Sequence, residues 1–186
     1  SLAAPVPLPR GAVTFLLTDI EGSTRSWEQD REAMAAAVAR HDEITSELIS
    51  KHGGQLRKTR GEGDSTFSVF ARATDAVGAA LELQLAFGSE PWPAGSLLSV
   101  RAVVHTGEAE LRDGDYYGPA VNRAARARSV GHGGQVLVTA VTAALVSDTL
   151  PPGAGLRDLG PHRLKDLDRP EQLFQLTHPA LVDTFG

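Results

Sequence analysis

The chain contains no cysteine among its 186 residues. This absence excludes disulfide bonds and zinc sites built from thiolates. No apolar run approaches the roughly 18 residues that are needed to cross a bilayer. Dense runs of lysine or arginine are also lacking, and the formal net charge is −5. We therefore expect neither a nucleic-acid backbone nor a membrane as a partner of this segment.

The length and composition are those of one globular domain, with 41% hydrophobic and 22% charged residues. We predict that the domain spans residues 12–177 and that residues 178–186 form a C-terminal tail. Residues 1–11 are rich in proline and alanine and are interpreted as a linker or as the edge of a domain cut from a longer protein. They lack a basic region followed by an apolar stretch, so we expect no signal peptide and a cytoplasmic location.

Two acidic clusters each place an aspartate beside an apolar segment. Asp19 follows the apolar residues 13–17, and Asp64 precedes the apolar residues 65–70. Each aspartate is thus predicted at the end of a strand, and neighbouring strands would let both carboxylates bind one hard cation. The small residues Gly22, Ser23 and Thr24 then open a predicted helix, whose free N–H groups favour a phosphate. Taken singly, helix capping and turn formation are the commoner uses of such aspartates.

The apolar pattern along the chain predicts strand, helix, hairpin, helix and strand, followed by further helices and strands. This order is typical of an α+β, ferredoxin-like (split βαβ) fold, a mostly antiparallel sheet with helices on one face and a C-terminal hairpin. We expect Ser23 or Thr24 to cap the first helix. The predicted strands cover residues 13–17, 55–60, 65–70, 97–105, 135–139 and parts of 156–176, and the helices cover 24–51, 73–87, 119–129 and 140–146.

A third cluster begins at Asp115 and continues into a predicted helix. Asn122 and Arg126 lie four residues apart and therefore share one face of that helix. An amide and a guanidinium on one face can hold a ribose oxygen and a phosphate together. The alternative is a solvated helix face with Arg123, Arg126 and Arg128 all exposed.

Together, four segments of the chain resemble the catalytic domain of class III adenylyl/guanylyl cyclases, most of all the actinobacterial branch. They are residues 18–24, 61–65, 115–126 and 164–166, which read TDIEGST, GEGDS, DYYGPAVNRAAR and LKD. Any one of these motifs is weak, but the four occur in the family's order and spacing. The resemblance runs from about residue 12 to residue 176.

The resemblance implies a metal site. Asp19 and Asp64 match the family's two metal-binding aspartates, and the carbonyl of Ile20 matches a further ligand. Two divalent cations, Mg²⁺ or Mn²⁺, are then expected as cofactors that connect these groups to a nucleoside triphosphate. Attack of the ribose 3′-oxygen on the α-phosphorus would release pyrophosphate and form a cyclic nucleotide.

The resemblance also implies roles in binding and catalysis. Asn122 matches the residue that orients the ribose, and Arg126 matches the arginine that stabilises charge on the α-phosphate. Lys165 matches the lysine that reaches the terminal phosphates. Without the other motifs, an exposed loop lysine would be the better interpretation of Lys165.

Base recognition is where the chain departs from the family pattern. Asp115 matches the aspartate that accepts a hydrogen bond from the adenine amino group, but Arg60 stands where adenylyl cyclases have a lysine. An arginine can still donate to adenine N1, although its planar fork is not equivalent to an ammonium group. Lys58 is a possible substitute, and Glu62 lies at the wrong offset to select guanine. ATP is the favoured substrate, and reduced selectivity between ATP and GTP stays open.

The family geometry implies a head-to-tail homodimer with two shared sites. One subunit would supply the metal-binding aspartates, and the other would supply Arg60, Asp115, Asn122, Arg126 and Lys165. The alternative that Arg60 supports is a regulatory module that binds nucleotide with little or no turnover. A diguanylate cyclase is disfavoured because its Gly-Gly-Asp/Glu-Glu-Phe signature does not occur in the sequence.

Overall fold

The computed structural model describes residues 6–57, 64–93 and 97–185. These residues form one sheet in the order β2-β3-β1-β4-β6-β8-β7, with β5 paired to β4. The pairing of β4 with β6 is parallel and the other pairings are antiparallel, which confirms the α+β class and the mostly antiparallel sheet. The strands are β1 (Gly11–Ile20), β2 (Gln55–Arg57), β3 (Thr66–Phe70), β4 (Val100–Arg112), β5 (Asp115–Tyr117), β6 (Val136–Thr139), β7 (Gly155–His162) and β8 (Glu171–Thr177), and the helices are α1 (Ser23–Gln29), α2 (Arg31–Lys51), α3 (Ala73–Ser89), α4 (Pro119–Arg128) and α5 (Ala140–Val146).

The strands that carry the two aspartates are neighbours, as expected. β1 lies between β3 and β4, and Thr18 of β1 pairs with Thr66 of β3. Because β1 and β3 are antiparallel, the C-terminal end of β1 meets the N-terminal end of β3. Asp19 follows Thr18, and Asp64 lies two residues before Thr66. The sheet therefore brings Asp19 and Asp64 to one edge.

The expectation that all helices pack on one face of the sheet is wrong for α4. Leu16 belongs to the core that packs against α2, α3 and α5. Its neighbour Phe15 belongs to a second core on the opposite face, where Ala124 and Ala127 of α4 are fully buried. Successive side chains of a strand point to opposite faces. The continuous apolar run of β1 is thus typical of a strand that is buried on both sides.

The first predicted helix is two helices, and its predicted cap is wrong. Gly22, with φ of 68°, occupies the N-terminal cap of α1, ahead of Ser23 and Thr24. Asp30 is extended and accepts a hydrogen bond from Ala33 N at 3.0 Å, so it caps α2. An aspartate side chain accepts a hydrogen bond from a free backbone N–H, and this favours the start of a helix directly after the aspartate. No helix formed by the described residues is long and apolar enough to cross a membrane.

The fourth strand is longer than predicted and forms a hairpin with the strand that follows it. β4 spans 13 residues and continues past residue 105 into a hairpin with β5. Asp113 and Gly114 at the tip have φ of 53° and 76°, the positive values that a tight primed turn requires. The predicted turn at residues 112–115 is therefore confirmed. Of the predicted strand over residues 55–60, β2 covers the first three residues, and the rest lies outside the described residues.

A buried imidazole lies beneath the start of α4. The side chain of His105 lines a cavity of about 500 Å³, and its Nδ1 lies 2.7 Å from the Thr139 hydroxyl. Burial, with a smaller effect of the nearby Arg123 charge, lowers the pKa of His105 to about 4. The imidazole is therefore neutral at pH 7.

We expect His105 to make the domain less stable in mild acid. Its pKa is near 6.5 in the unfolded chain and about 4 in the folded one, so between these values the unfolded state binds the extra proton. Stability is then lost as the pH falls from 6.5 towards 4. Urea unfolding of wild type and His105→Asn at pH 7.5 and 4.5 should show wild type losing about 2 kcal/mol more than the variant. Equal losses would contradict a neutral buried imidazole.

Candidate active site

Two buried carboxylates form the centre of the candidate site. Asp19 at the end of β1 is 8% exposed, and Asp64 just before β3 is 7% exposed. Among the described residues, Asp64 Oδ1 is buried without a hydrogen-bond partner. Such an atom costs folding free energy unless a ligand satisfies it. An unsatisfied carboxylate oxygen beside a second carboxylate fits a hard cation.

Two arginines that the sequence analysis did not select hold Asp19. Arg101 on β4 pairs with Asp19 in the strand register and donates from Nε to Oδ1 at 2.7 Å and from Nη2 to Oδ2 at 2.5 Å. Arg128 of α4 places its Nε 3.5 Å from Asp19 Oδ2 and donates from Nη1 to the Thr18 carbonyl at 3.2 Å. Arg128 is therefore a partly buried ion-pair partner, in contrast to the exposed side chain considered above.

The pKa of Arg101 indicates which carboxylates lie near its guanidinium. The hydrogen bond to Asp19 raises the pKa of Arg101, and the charges of Asp19, Glu21 and Asp64 raise it further against the opposing effect of burial. All three carboxylates thus lie within electrostatic reach of one guanidinium. The apolar pattern predicts a strand that contains Arg101 but does not show which strand pairs with it. The register that places Arg101 opposite Asp19 could therefore not be predicted from the sequence.

The turn after β1 leads directly into α1. Ile20 is the last residue of β1, and its side chain is buried. Among the described residues, no side chain caps the seven-residue α1. The Gly22 carbonyl accepts hydrogen bonds from both N and Oγ of Ser26. Ser23 is half-buried and Thr24 is exposed. Binding of a metal by the Ile20 carbonyl and of phosphate by Gly22, Ser23 and Thr24 stay predictions.

The predicted ribose and phosphate residues lie on α4 and in the β7–β8 loop. Asn122 is exposed on α4, and Arg126 donates from Nη2 to Asp166 Oδ2 at 3.2 Å. Lys165 precedes Asp166 in the β7–β8 loop and is exposed, while Leu164 anchors that loop in the core on the α4 side. The structure thus brings Arg126 beside the loop that carries Lys165.

The predicted base-recognition residues are only partly described. Asp115 begins β5, and its Oδ1 accepts a hydrogen bond from Tyr116 N at 2.9 Å. Arg57 at the end of β2 donates to the Gly114 carbonyl at 2.7 Å, so β2 ends beside the hairpin that carries Asp115. Arg60, together with Lys58 and residues 61–63, lies outside the described residues.

Comparison with known proteins identifies the family. Residues 7–174 match the family model for the adenylate and guanylate cyclase catalytic domain. An uncharacterized protein of Mycobacterium tuberculosis is 46% identical over 179 residues, which cover 95% of this chain and 60% of that protein. An adenylate cyclase of Neurospora crassa is 30% identical over 237 residues, covering 97% of this chain and 10% of that protein.

The chain also has the fold of a solved structure. One of the Trypanosoma brucei adenylate cyclases, solved in the monomeric state, aligns with a TM-score of 0.82 and 28% identity, covering 95% of this chain and 94% of that chain. The chain spans 60% of the length of the mycobacterial relative that it matches. Because the family model matches nearly the whole length of the chain, the chain belongs to the adenylate and guanylate cyclase catalytic-domain family.

Proposed function

We propose that this domain is an adenylyl cyclase, which converts ATP to 3′,5′-cyclic AMP and pyrophosphate with two divalent cations at a homodimer interface. The observation that carries the proposal is the buried pair Asp19 and Asp64, with Asp64 Oδ1 unsatisfied among the described residues. In a member of the cyclase family, such a pair at one edge of the sheet supports a metal-dependent reaction on a nucleoside triphosphate.

The donor set of this edge fits oxygen-seeking cations such as Mg²⁺ or Mn²⁺. Asp19 and Asp64 would hold them, with the Ile20 carbonyl as a further ligand. Within the described ranges, no cluster of three or more histidine, cysteine or acidic side chains could hold a metal. When bound, the cations would lower the pKa of the ribose 3′-hydroxyl and neutralise phosphate charge.

The chain's own side chains would orient the substrate for in-line attack. Asn122 would hold the ribose so that its 3′-oxygen faces the α-phosphorus. As that bond forms, the bond from the α-phosphorus to the bridging oxygen of the β-phosphate breaks, the hydroxyl proton is released, and pyrophosphate leaves. Arg126 would donate to the α-phosphate oxygens and Lys165 to the terminal phosphates. Arg126 must leave Asp166 to do so, which costs little because that ion pair is exposed.

The two arginines near the end of α4 support a shared site. Arg126 and Arg128 lie two residues apart and therefore about 200° apart around the helix. Arg128 contacts Asp19 of its own chain, whereas Arg126 contacts Asp166. Arg126 is thus directed to Asp166 and not to Asp19 of its own chain. A second chain in head-to-tail orientation would bring its metal-binding edge to Arg126, Asn122 and Lys165, which are accessible on the surface.

ATP is the proposed purine nucleotide. Asp115 would accept a hydrogen bond from the adenine amino group, and Arg60 or Lys58 would donate to adenine N1. The Neurospora crassa relative is an adenylate cyclase, as are the matched Trypanosoma brucei structures, and this supports ATP. The family as a whole covers both adenylate and guanylate cyclases, so a cyclase with relaxed selectivity is the alternative.

Turnover of ATP and of GTP, each with Mg²⁺ and with Mn²⁺ at several protein concentrations, tests the proposed function. We expect cyclic AMP as the main product, with a specific activity that rises with protein concentration because the active species is a dimer. Comparable rates with GTP would favour relaxed selectivity. Metal-dependent ATP binding without product from either nucleotide would instead identify a regulatory module.

A further inference from the structure

We propose that Arg128 is a positioning residue, which holds the carboxylate of Asp19 in the orientation that binds the cation. This role rests on the proposed function, because it gives Asp19 a cation to bind. Arg128 is the last residue of α4 and is 19% exposed at its side chain. It connects the helix layer on this face to the end of β1 through the Thr18 carbonyl and Asp19.

The Asp19 carboxylate is held from two directions. Arg101 approaches from the neighbouring strand and donates one hydrogen bond to each carboxylate oxygen. Arg128 approaches from the helix, 3.5 Å from Oδ2. A carboxylate offers about four lone-pair sites, so these contacts leave positions for a cation. Rotation of the Asp19 side chain would break both sets of contacts at once, which restricts the carboxylate to one orientation.

Arginine suits this position better than lysine. The guanidinium of Arg128 presents Nη1 to the Thr18 carbonyl and Nε towards Asp19 Oδ2 at the same time. A planar fork can serve two acceptors in fixed directions, whereas an ammonium group is a single mobile point charge. We therefore expect Arg128→Lys to keep the charge but to lose part of the orientation.

The position of Arg128 also gives α4 a part in both sites of the proposed dimer. Asn122 and Arg126 would act on substrate that is bound to the partner's aspartates. Arg128, on the other side of the same helix, would orient Asp19 for the second site. The effect of changing Arg128 should consequently follow the chain that supplies the aspartates.

Metal binding provides a test that does not depend on turnover. Mn²⁺ binding is measured by electron paramagnetic resonance with a non-reacting ATP analogue for wild type, Arg128→Gln, Arg128→Lys and the matched control Arg123→Gln. Arg123 lies on the same helix, is 23% exposed at its side chain and pairs with Glu171 at 3.0 Å. Losing a partner of a metal ligand typically costs 10–100-fold, so we expect Arg128→Gln to weaken Mn²⁺ binding by about tenfold.

The direction of the change separates positioning from charge alone. Removing a positive charge beside a cation site would by itself strengthen Mn²⁺ binding. Weaker binding in Arg128→Gln, partial recovery in Arg128→Lys and near-wild-type binding in Arg123→Gln would support positioning. Unchanged or tighter binding in Arg128→Gln, or an equal loss in Arg123→Gln, would overturn it.

Mixed dimers locate the effect. In a mixture of Asp64→Ala and Arg126→Ala chains, the intact site uses the aspartates of the Arg126→Ala chain. Arg128→Gln added to that chain should lower the recovered activity, and the same change on the Asp64→Ala chain should leave it unaltered. The reverse pattern would mean that Arg128 acts on substrate across the interface. If wild type shows no turnover, the proposed function fails, while the Mn²⁺ measurements still decide the role of Arg128.

Discussion

Replacement of Asp64 by alanine is expected to abolish cyclic nucleotide formation in a domain that still folds. The variant removes one of the two carboxylates that are proposed to bind the metal, where metal-ion catalysis supplies several kcal/mol of transition-state stabilisation. We expect a loss of at least about a thousandfold in kcat under saturating ATP and Mn²⁺. Product analysis with purified protein measures it, and circular dichroism verifies the fold.

The folding stability of the same variant tests the assignment independently. Asp64 Oδ1 is buried without a partner among the described residues, so in the absence of metal this carboxylate contributes a desolvation cost with no compensating hydrogen bond to that oxygen. Asp64→Ala should therefore unfold at the same temperature as metal-free wild type or at a higher one. Mn²⁺ with an ATP analogue should raise the melting temperature of wild type much more than that of the variant.

Asp30 provides the matched control. Unlike Asp64, which precedes a strand, Asp30 precedes a helix, and its Oδ1 caps α2 by accepting from Ala33 N at 3.0 Å. Loss of such a cap typically costs about 1 kcal/mol of stability, so Asp30→Ala should lower the melting temperature and keep turnover per folded protein. An Asp64→Ala protein that makes product at the wild-type rate would refute the metal assignment. A stability loss like that of Asp30→Ala, without loss of activity, would make Asp64 a structural residue.

The parts of the fold that the sequence predicted are those decided by local patterns. α5 begins and ends at the predicted residues, and the turn at residues 112–115 follows from Asp113 and Gly114, which accept positive φ readily. The two acidic clusters could be paired because each lies directly beside an apolar strand segment. In these cases, neighbouring residues contain the information that determines the structure.

The parts that the sequence did not predict depend on tertiary contacts. Arg101 and Arg128 reach Asp19 only through the register of β1 with β4 and the packing of α4 on the sheet. The position of α4 on the second face depends on the small residues Ala124 and Ala127 and on the glycine at 107, where an added Cβ would lie 2.8 Å from the Ala120 Cβ. Small buried residues give a weak apolar signal, so α4 resembles a solvated helix in the sequence alone.

Mixing two inactive variants is expected to restore activity if the site is shared between chains. The structure favours Asp64→Ala over an Asp19 variant as the metal-deficient partner. Asp19 is the counter-ion of the partly buried Arg101 and Arg128. Removal of Asp19 would take this counter-ion from both arginines, and we expect a large loss of folding stability. Arg126→Ala is the other partner, because Arg126 is 43% exposed at its side chain and its ion pair with Asp166 is exposed to solvent.

The recovered activity has a definite expected size. Random exchange of equal amounts gives heterodimers as half of the population, and each heterodimer has one intact site out of two. The mixture should therefore reach about a quarter of the wild-type specific activity, while each variant alone stays inactive. Mixing Asp64→Ala with tagged Asp64→Ala, with exchange measured by tag capture, controls for dimer formation. Confirmed heterodimers without recovered activity would exclude a site in which Arg126 of one chain acts on substrate that is bound at Asp64 of the other.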